Sequence, residues 1–148
     1  MLLKLSISQR VEGTMSDQDK KLQLSLLFLR MTVFFVMFMW TIDKLINPGH
    51  AAKVYESFYY ISGLEVFVMY VIGALELIIL LSFLTGIKKK YTYGAVLLFH
   101  TVSTLSSVKQ YLAPFDGSNL LFFAAWPMLA ACFALFLLRE KDVMWSIH

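Results

Sequence analysis

Hydrophobic positions along this chain are not spaced evenly between polar ones. They come in blocks of about 20 residues, the length that carries an α-helix across the hydrocarbon of a bilayer. The first block covers residues 24–46, "LSLLFLRMTVFFVMFMWTIDKLI", and "NPGH" ends it because Pro48 and Gly49 together stop a helix. A second block, residues 64–84, is closed by Gly86 and the triplet Lys88, Lys89 and Lys90. The third, residues 91–112, is the most polar, with His100, Thr101, Ser103, Thr104, Ser106 and Ser107. The turn "APFDGS" leads into a fourth, residues 119–138, which the Trp126-Pro127 pair is expected to kink. The pattern predicts an all-α fold: an integral membrane four-helix bundle occupying residues 22–140.

The segments between and around the blocks sharpen this outline. In "NPGHAAKVYESFYYISG", Tyr55, Phe58, Tyr59 and Tyr60 are the amphipathic rings expected at headgroup level, so a short interfacial helix is predicted there. Residues 1–21 form a polar N-terminal segment whose apolar patch from Leu2 to Ile7 is too short for a signal-peptide core. Met15 opens "MSDQDKKLQ", which reads as a start and would make residues 1–14 an upstream extension. Residues 141–148 read as a short polar tail.

Charge sets the orientation. Across four spans, Lys20, Lys21, Lys88, Lys89, Lys90, Arg139 and Lys141 fall on one side. The other side has Lys53, with Lys44 and Lys109 near span ends. The positive-inside rule therefore places both termini in the cytoplasm. With 59% hydrophobic and 16% charged residues, the chain is not an ordinary soluble domain. Its net charge of +3 lies in short loops beside apolar blocks, which speaks against nucleic-acid binding and for the lipid bilayer as partner. The single cysteine, Cys132, sits in an apolar segment, and no CxxC exists, so self-contained dithiol chemistry is excluded.

Ionisable residues inside the spans are the candidate chemistry, because each unpaired charge costs about 2.5–3.5 kcal/mol on insertion scales. Counting about 1.5 Å per residue from the cytoplasmic ends, Arg30 lies roughly 9 Å deep, Glu76 roughly 12 Å and His100 roughly 13 Å. The three are expected to meet at one level as a polar pocket, with Arg30 the countercharge of Glu76. An outer polar layer is expected from Lys44, Glu65, Asp43 and Lys109. At about 100° per residue, Lys44 shares the face of Arg30 and Glu65 that of Glu76. Asp43 falls on another face, toward the interface or a neighbouring subunit, and Lys109 is turned away from His100, where it would snorkel to the headgroups. Ser103, Thr104, Ser107 and Tyr111 share the face of His100 and would extend a polar seam.

An arginine opening the first helix in "FLRMTVFFVMF", "DKLINPGHAAKVY" closing it, and "GALELIILLSFLTGIKKK" as second helix and basic turn resemble the DoxX family of small four-helix membrane proteins. The likeness runs from about Leu26 to Leu138 and rests on Arg30, Lys44, Pro48, Glu76 and Gly86 in order and spacing. Where many members have a glycine before the lysine of the first helix, this chain has the bulkier "TID". The resemblance implies an accessory subunit of a larger quinone-linked redox complex in a bacterial inner membrane, and its eukaryotic members point instead to assembly factors.

Two readings of the charged residues stay open. In one, Arg30, Glu76 and His100 contact a quinone headgroup or an anion, or handle protons. In the other they are ion pairs that fix helix register in a non-catalytic assembly protein or homo-oligomer. No metal site is expected and no cofactor is intrinsic. His50 lies in a loop and His148 ends the sequence, so His100 has no partner for a bis-histidine haem. Phe34, Phe35, Phe38 and Trp40 are read as lipid-facing or core bulk. The lysine triplet is a topology signal first and an anionic-lipid contact second.

Overall fold

Ser16 starts the first helix earlier than the apolar block does. Its Oγ accepts the Asp19 N–H at 3.1 Å, and one turn of acidic and basic side chains, with Asp17 on Lys21 at 2.6 Å, carries the helix forward. In the computed structural model, which describes residues 16–147, α1 (Asp17–Ile46) is accordingly 30 residues long. The reading of residues 1–14 as an extension lies outside the described residues. Pro48, which cannot continue α1, occupies the first turn of α2 (Pro48–Tyr59), where its missing N–H is harmless.

Helix α3 (Val66–Leu84) ends in a paired hydrogen-bond cap: Ile87 N–H reaches the Ser82 carbonyl at 2.9 Å and Gly86 N–H that of Phe83 at 3.1 Å. This closure requires φ > 0 at the residue after the cap, supplied by Gly86 at +72°. Helix α4 (Lys89–Ser106) is shorter than the predicted third span. It breaks at Ser107, and a single turn, α5 (Val108–Leu112), follows. The hydroxyls explain the weakness: Thr101 bonds the Leu97 carbonyl, Thr104 that of His100, and Ser106 and Ser107 that of Ser103, all competing with the helix ladder.

The last block begins as a 3-10 helix (Asn119–Ala124) and becomes α6 (Ala125–Leu137). Pro127 thus lies in the first turn of α6, and the irregularity falls upstream of it as the change of helix type. Beyond Leu138 the chain leaves the helix and folds back in turns.

Among the described residues every regular element is helical. α1 packs against α3 and α6, α4 against α3 and α6, and α2 lies on α1 and α3. Leu26, Val33, Leu80, Phe83, Tyr93, Val96, Cys132 and Leu135 form the buried core. Outward faces are apolar too: Phe35, Phe67, Ile78, Leu98 and Phe133 are each more than half exposed. Such a surface is untenable in water and natural in lipid. Three stretches are long and apolar enough to cross a membrane, Asp17–Ile46, Val66–Leu84 and Asn119–Leu137, which supports an integral membrane protein. Phe34 and Phe38 stack on each other at 5.3 Å beside the core, whereas Phe35 and Trp40 face outward.

The relative register of α1 and α3 positions everything polar. Thr41 meets Glu76, and Leu45 lies over Gly73 so closely that a Cβ there would come 2.8 Å from Leu45 Cδ2. The glycine lets the backbones approach. In this antiparallel register Arg30, about three turns before Thr41, stands near the Gly86 end of α3 and away from Glu76. The two helices differ in length, 30 residues against 19, or about 45 Å against about 28 Å, so α1 overhangs α3. Depths counted from helix ends assumed to be level do not survive that overhang.

Candidate functional site

Two polar clusters, one toward each end of the molecule, replace the single pocket expected from the sequence. The first is centred on Arg30, which is fully buried. Its Nη1 lies 3.3 Å from Asp142 Oδ2 and donates to Tyr93 Oη at 3.2 Å and Ser146 Oγ at 3.4 Å, while Nη2 donates to the Met144 carbonyl at 2.5 Å. Tyr93 passes the interaction on, its hydroxyl donating to Asp142 Oδ2 at 2.7 Å, and its ring is held edge-on to Phe83. Asp142 is as buried as Arg30. Arg30 is therefore paired with Asp142 and not with Glu76, a correction that follows from the helix register.

What brings Asp142 in is the C-terminal segment. Lys89 Nζ donates to the Asp142 carbonyl at 2.7 Å, Ile147 N–H to the Thr85 carbonyl at 2.8 Å, and Ser146 Oγ to the Asp142 carbonyl at 3.3 Å. Ser146 sits against Gly86, where any Cβ would collide with its hydroxyl. Residues read from the sequence as a polar tail thus form a strap over the overhang of α1. The available signal was the apolar content of "VMWSI", which a solvated tail does not need.

The second cluster holds Glu76. Lys44 Nζ lies 2.9 Å from Glu76 Oε2, and Thr41 Oγ1 donates to the same oxygen at 3.1 Å. Lys44 also donates to the Trp40 carbonyl at 3.3 Å, and its ammonium stands 6.0 Å from the Tyr55 ring. Both charged side chains are mostly buried, at 12% and 20% exposure. Tyr55 comes from α2, which covers this end. Burial, with the Glu76 carboxylate and Tyr59 adding to it, pushes the Tyr55 phenol well above its ordinary range, so it stays protonated.

The other expected residues go separate ways. His100 Nε2–H donates to the Ala125 carbonyl at 3.0 Å, which ties α4 to the start of α6 and fixes that tautomer. Of the hydroxyls expected beside it, Thr104 and Ser107 bond carbonyls of their own helix and Tyr111 Oη donates to the Phe122 carbonyl at 3.4 Å, so they build no seam from His100 to Glu76. Asp43, expected at an interface, bonds His50 Nδ1 at 2.7 Å and receives Asn47 Nδ2 at 3.4 Å, joining α1 to α2. Glu65 is exposed at the N-cap of α3 without a side-chain cap bond. Lys109, on α5, lies 4.8 Å over the Tyr60 ring. The outer layer reduces to Lys44 with Glu76.

Two of the grooves on the surface of the described residues bear on the site. One, of about 430 Å³, runs between the lysine turn and the strap. The other, of about 460 Å³, lies between α4 and α6 and is lined by Leu97, Thr101, Trp126, Leu129, Ala130 and Phe133. Arg30, Glu76 and His100 line neither. Comparison with protein-family models, with curated proteins and with solved structures gives no match.

Proposed function

We propose that this chain is a four-helix membrane bundle with both termini in the cytoplasm, acting as a non-catalytic assembly or stabilising subunit of a larger membrane complex. The observation that carries this reading is that Arg30, Asp43, Lys44 and Glu76 each find a partner within the chain and none lines either groove described above. Charges kept for a substrate would face a cavity, whereas charges that pin helices face one another. The resemblance to DoxX proteins names a class of partner, a quinone-linked redox complex of a bacterial inner membrane.

A quinone-contacting role retains support at a different place. The groove between α4 and α6 is apolar and has Trp126 and Phe133 for a flat ring, while the Thr101 hydroxyl on its wall is spent on the Leu97 carbonyl at 2.7 Å. His100 and Glu76 have no part in it.

Replacing Lys44 by Met together with Glu76 by Leu separates structural from chemical roles. Well-packed apolar pairs substitute for buried ion pairs at little cost. The double variant is expected to fold and to keep the yield and quinone-linked turnover of the copurified complex, while Glu76→Gln alone lowers expression and thermal stability. A double variant that folds normally yet abolishes turnover would overturn the structural reading. Trp126→Ala reports on the second: loss of turnover with an intact complex moves the function to the α4–α6 groove.

A further inference from the structure

The lysine turn is strained where strain is easily avoided. Lys88 has φ +46° and ψ 51°, a left-handed conformation that glycine adopts freely and side-chain-bearing residues adopt rarely, Tyr60 and Trp145 being the others here among the described residues. Glycine already serves this purpose two residues earlier, at Gly86. A lysine at such a position carries a local backbone cost that glycine would avoid, so its side chain is the part to examine.

The three lysines are not equivalent. Lys89 is committed, its ammonium on the Asp142 carbonyl. Lys90 stands 5.9 Å from the Tyr91 ring centroid, and Lys88 has no partner among the described residues; both are exposed. Together they border the groove of about 430 Å³ whose other wall is the strap, through Val143 and Ile147. Glu140, the one carboxylate on its rim, is already 3.4 Å from Arg139. Beside the lysines the groove's lining turns apolar: Tyr91 is 70% and Ile147 59% exposed. Cationic side chains at one edge and bare aromatic and aliphatic ones at the other match a molecule with a phosphate at one end and hydrocarbon at the other.

We infer that the groove between the 86–90 turn and the C-terminal strap binds the headgroup of an anionic phospholipid, with Lys88 and Lys90 on the phosphate and Tyr91 and Ile147 against the glycerol and upper acyl region. The inference rests on the membrane placement proposed above. It makes the strap one wall of a lipid site as well as the cover of Arg30. A soluble anion would have no use for the apolar edge.

Native mass spectrometry of the full chain in mild detergent, with equimolar phosphatidylglycerol and phosphatidylcholine of the same acyl chains, tests this directly. Phosphatidylglycerol adducts are expected to dominate, by about five-fold per engaged lysine. Lys88→Gln with Lys90→Gln should bring the ratio close to one, while Lys20→Gln with Lys21→Gln, which removes the same charge from the first turn of α1, leaves it unchanged. Lys88→Gly provides a second arm: with the backbone strain relieved, its Tm should be no lower than that of the unmodified chain, yet its lipid ratio should fall. An unaltered ratio in the 88/90 variant, or an equal fall in the 20/21 control, overturns the site. Displacement of the lipid by excess inorganic phosphate overturns it in favour of a free-anion site. Release of the chain from membranes by alkaline carbonate would instead overturn the membrane placement, and the lipid site with it.

Discussion

Arg30 and Glu76 show how much the partner of a buried charge matters. Each belongs to a helix that the sequence marks plainly, and each was recognisable as an ionisable residue within hydrocarbon. Their partners were not legible. Lys44 is three residues past Thr41 on the same helix face and Asp142 lies outside every apolar block, so only the register and the strap decide who meets whom. The Arg30 cluster is also incompletely satisfied: Arg30 Nε and Asp142 Oδ1 have no protein partner. Removing one member of a buried pair strands the other charge, at about 3–5 kcal/mol. Asp142→Ala is therefore expected to lower stability by about that amount in denaturant unfolding in micelles. Arg30→Met combined with Asp142→Leu should regain most of it. A double variant no more stable than Asp142→Ala would mean that the cluster is not simply balanced charge.

At the level of elements, the apolar blocks at residues 24–46, 64–84 and 119–138 correspond to α1, α3 and the 3-10 helix with α6, because a run of hydrocarbon side chains leaves the backbone few alternatives to a helix. Ends were harder. The capping by Ser16 lengthened α1, the serines near 103–107 shortened α4, and both depend on side chain to backbone bonds that hydropathy does not register. The junction of α3, α4 and the strap concentrates on Gly86. In Gly86→Ala the added methyl meets both an unfavourable φ and the Ser146 hydroxyl, so a loss of about 1–3 kcal/mol is expected. The same variant should expose Arg139 and Lys141 to trypsin, visible as faster cleavage near the C-terminal end by mass spectrometry. Unchanged cleavage would show that Gly86 does not seat the strap.

For the molecule as a whole, the distribution of apolar surface is the most informative property, since outward-facing Phe28, Phe67 and Ile78 are about as apolar as the core they surround. The chain is well suited to topology mapping by chemistry: Cys132, its only cysteine, is buried and should stay silent toward maleimides. Glu56→Cys lies on exposed α2 and Lys90→Cys on the exposed lysine turn. If both termini are cytoplasmic, as proposed, an impermeant maleimide should label the first in intact spheroplasts and the second only after permeabilisation. The reverse pattern would invert the bundle and carry the lipid site to the other leaflet.

The strap also sets an order of events during biosynthesis. Arg30 and the Met144 carbonyl it binds are 114 residues apart, and Asp142 is made nearly as late. At about 5–20 residues per second, the ribosome delivers the arginine several seconds before its countercharge. Until then the guanidinium must rest among headgroups or with the insertion machinery, so α1 settles into its final depth only when the end of the bundle has been translated. A nascent chain stalled before residue 142 should therefore hold its first helix shallower than the finished protein does.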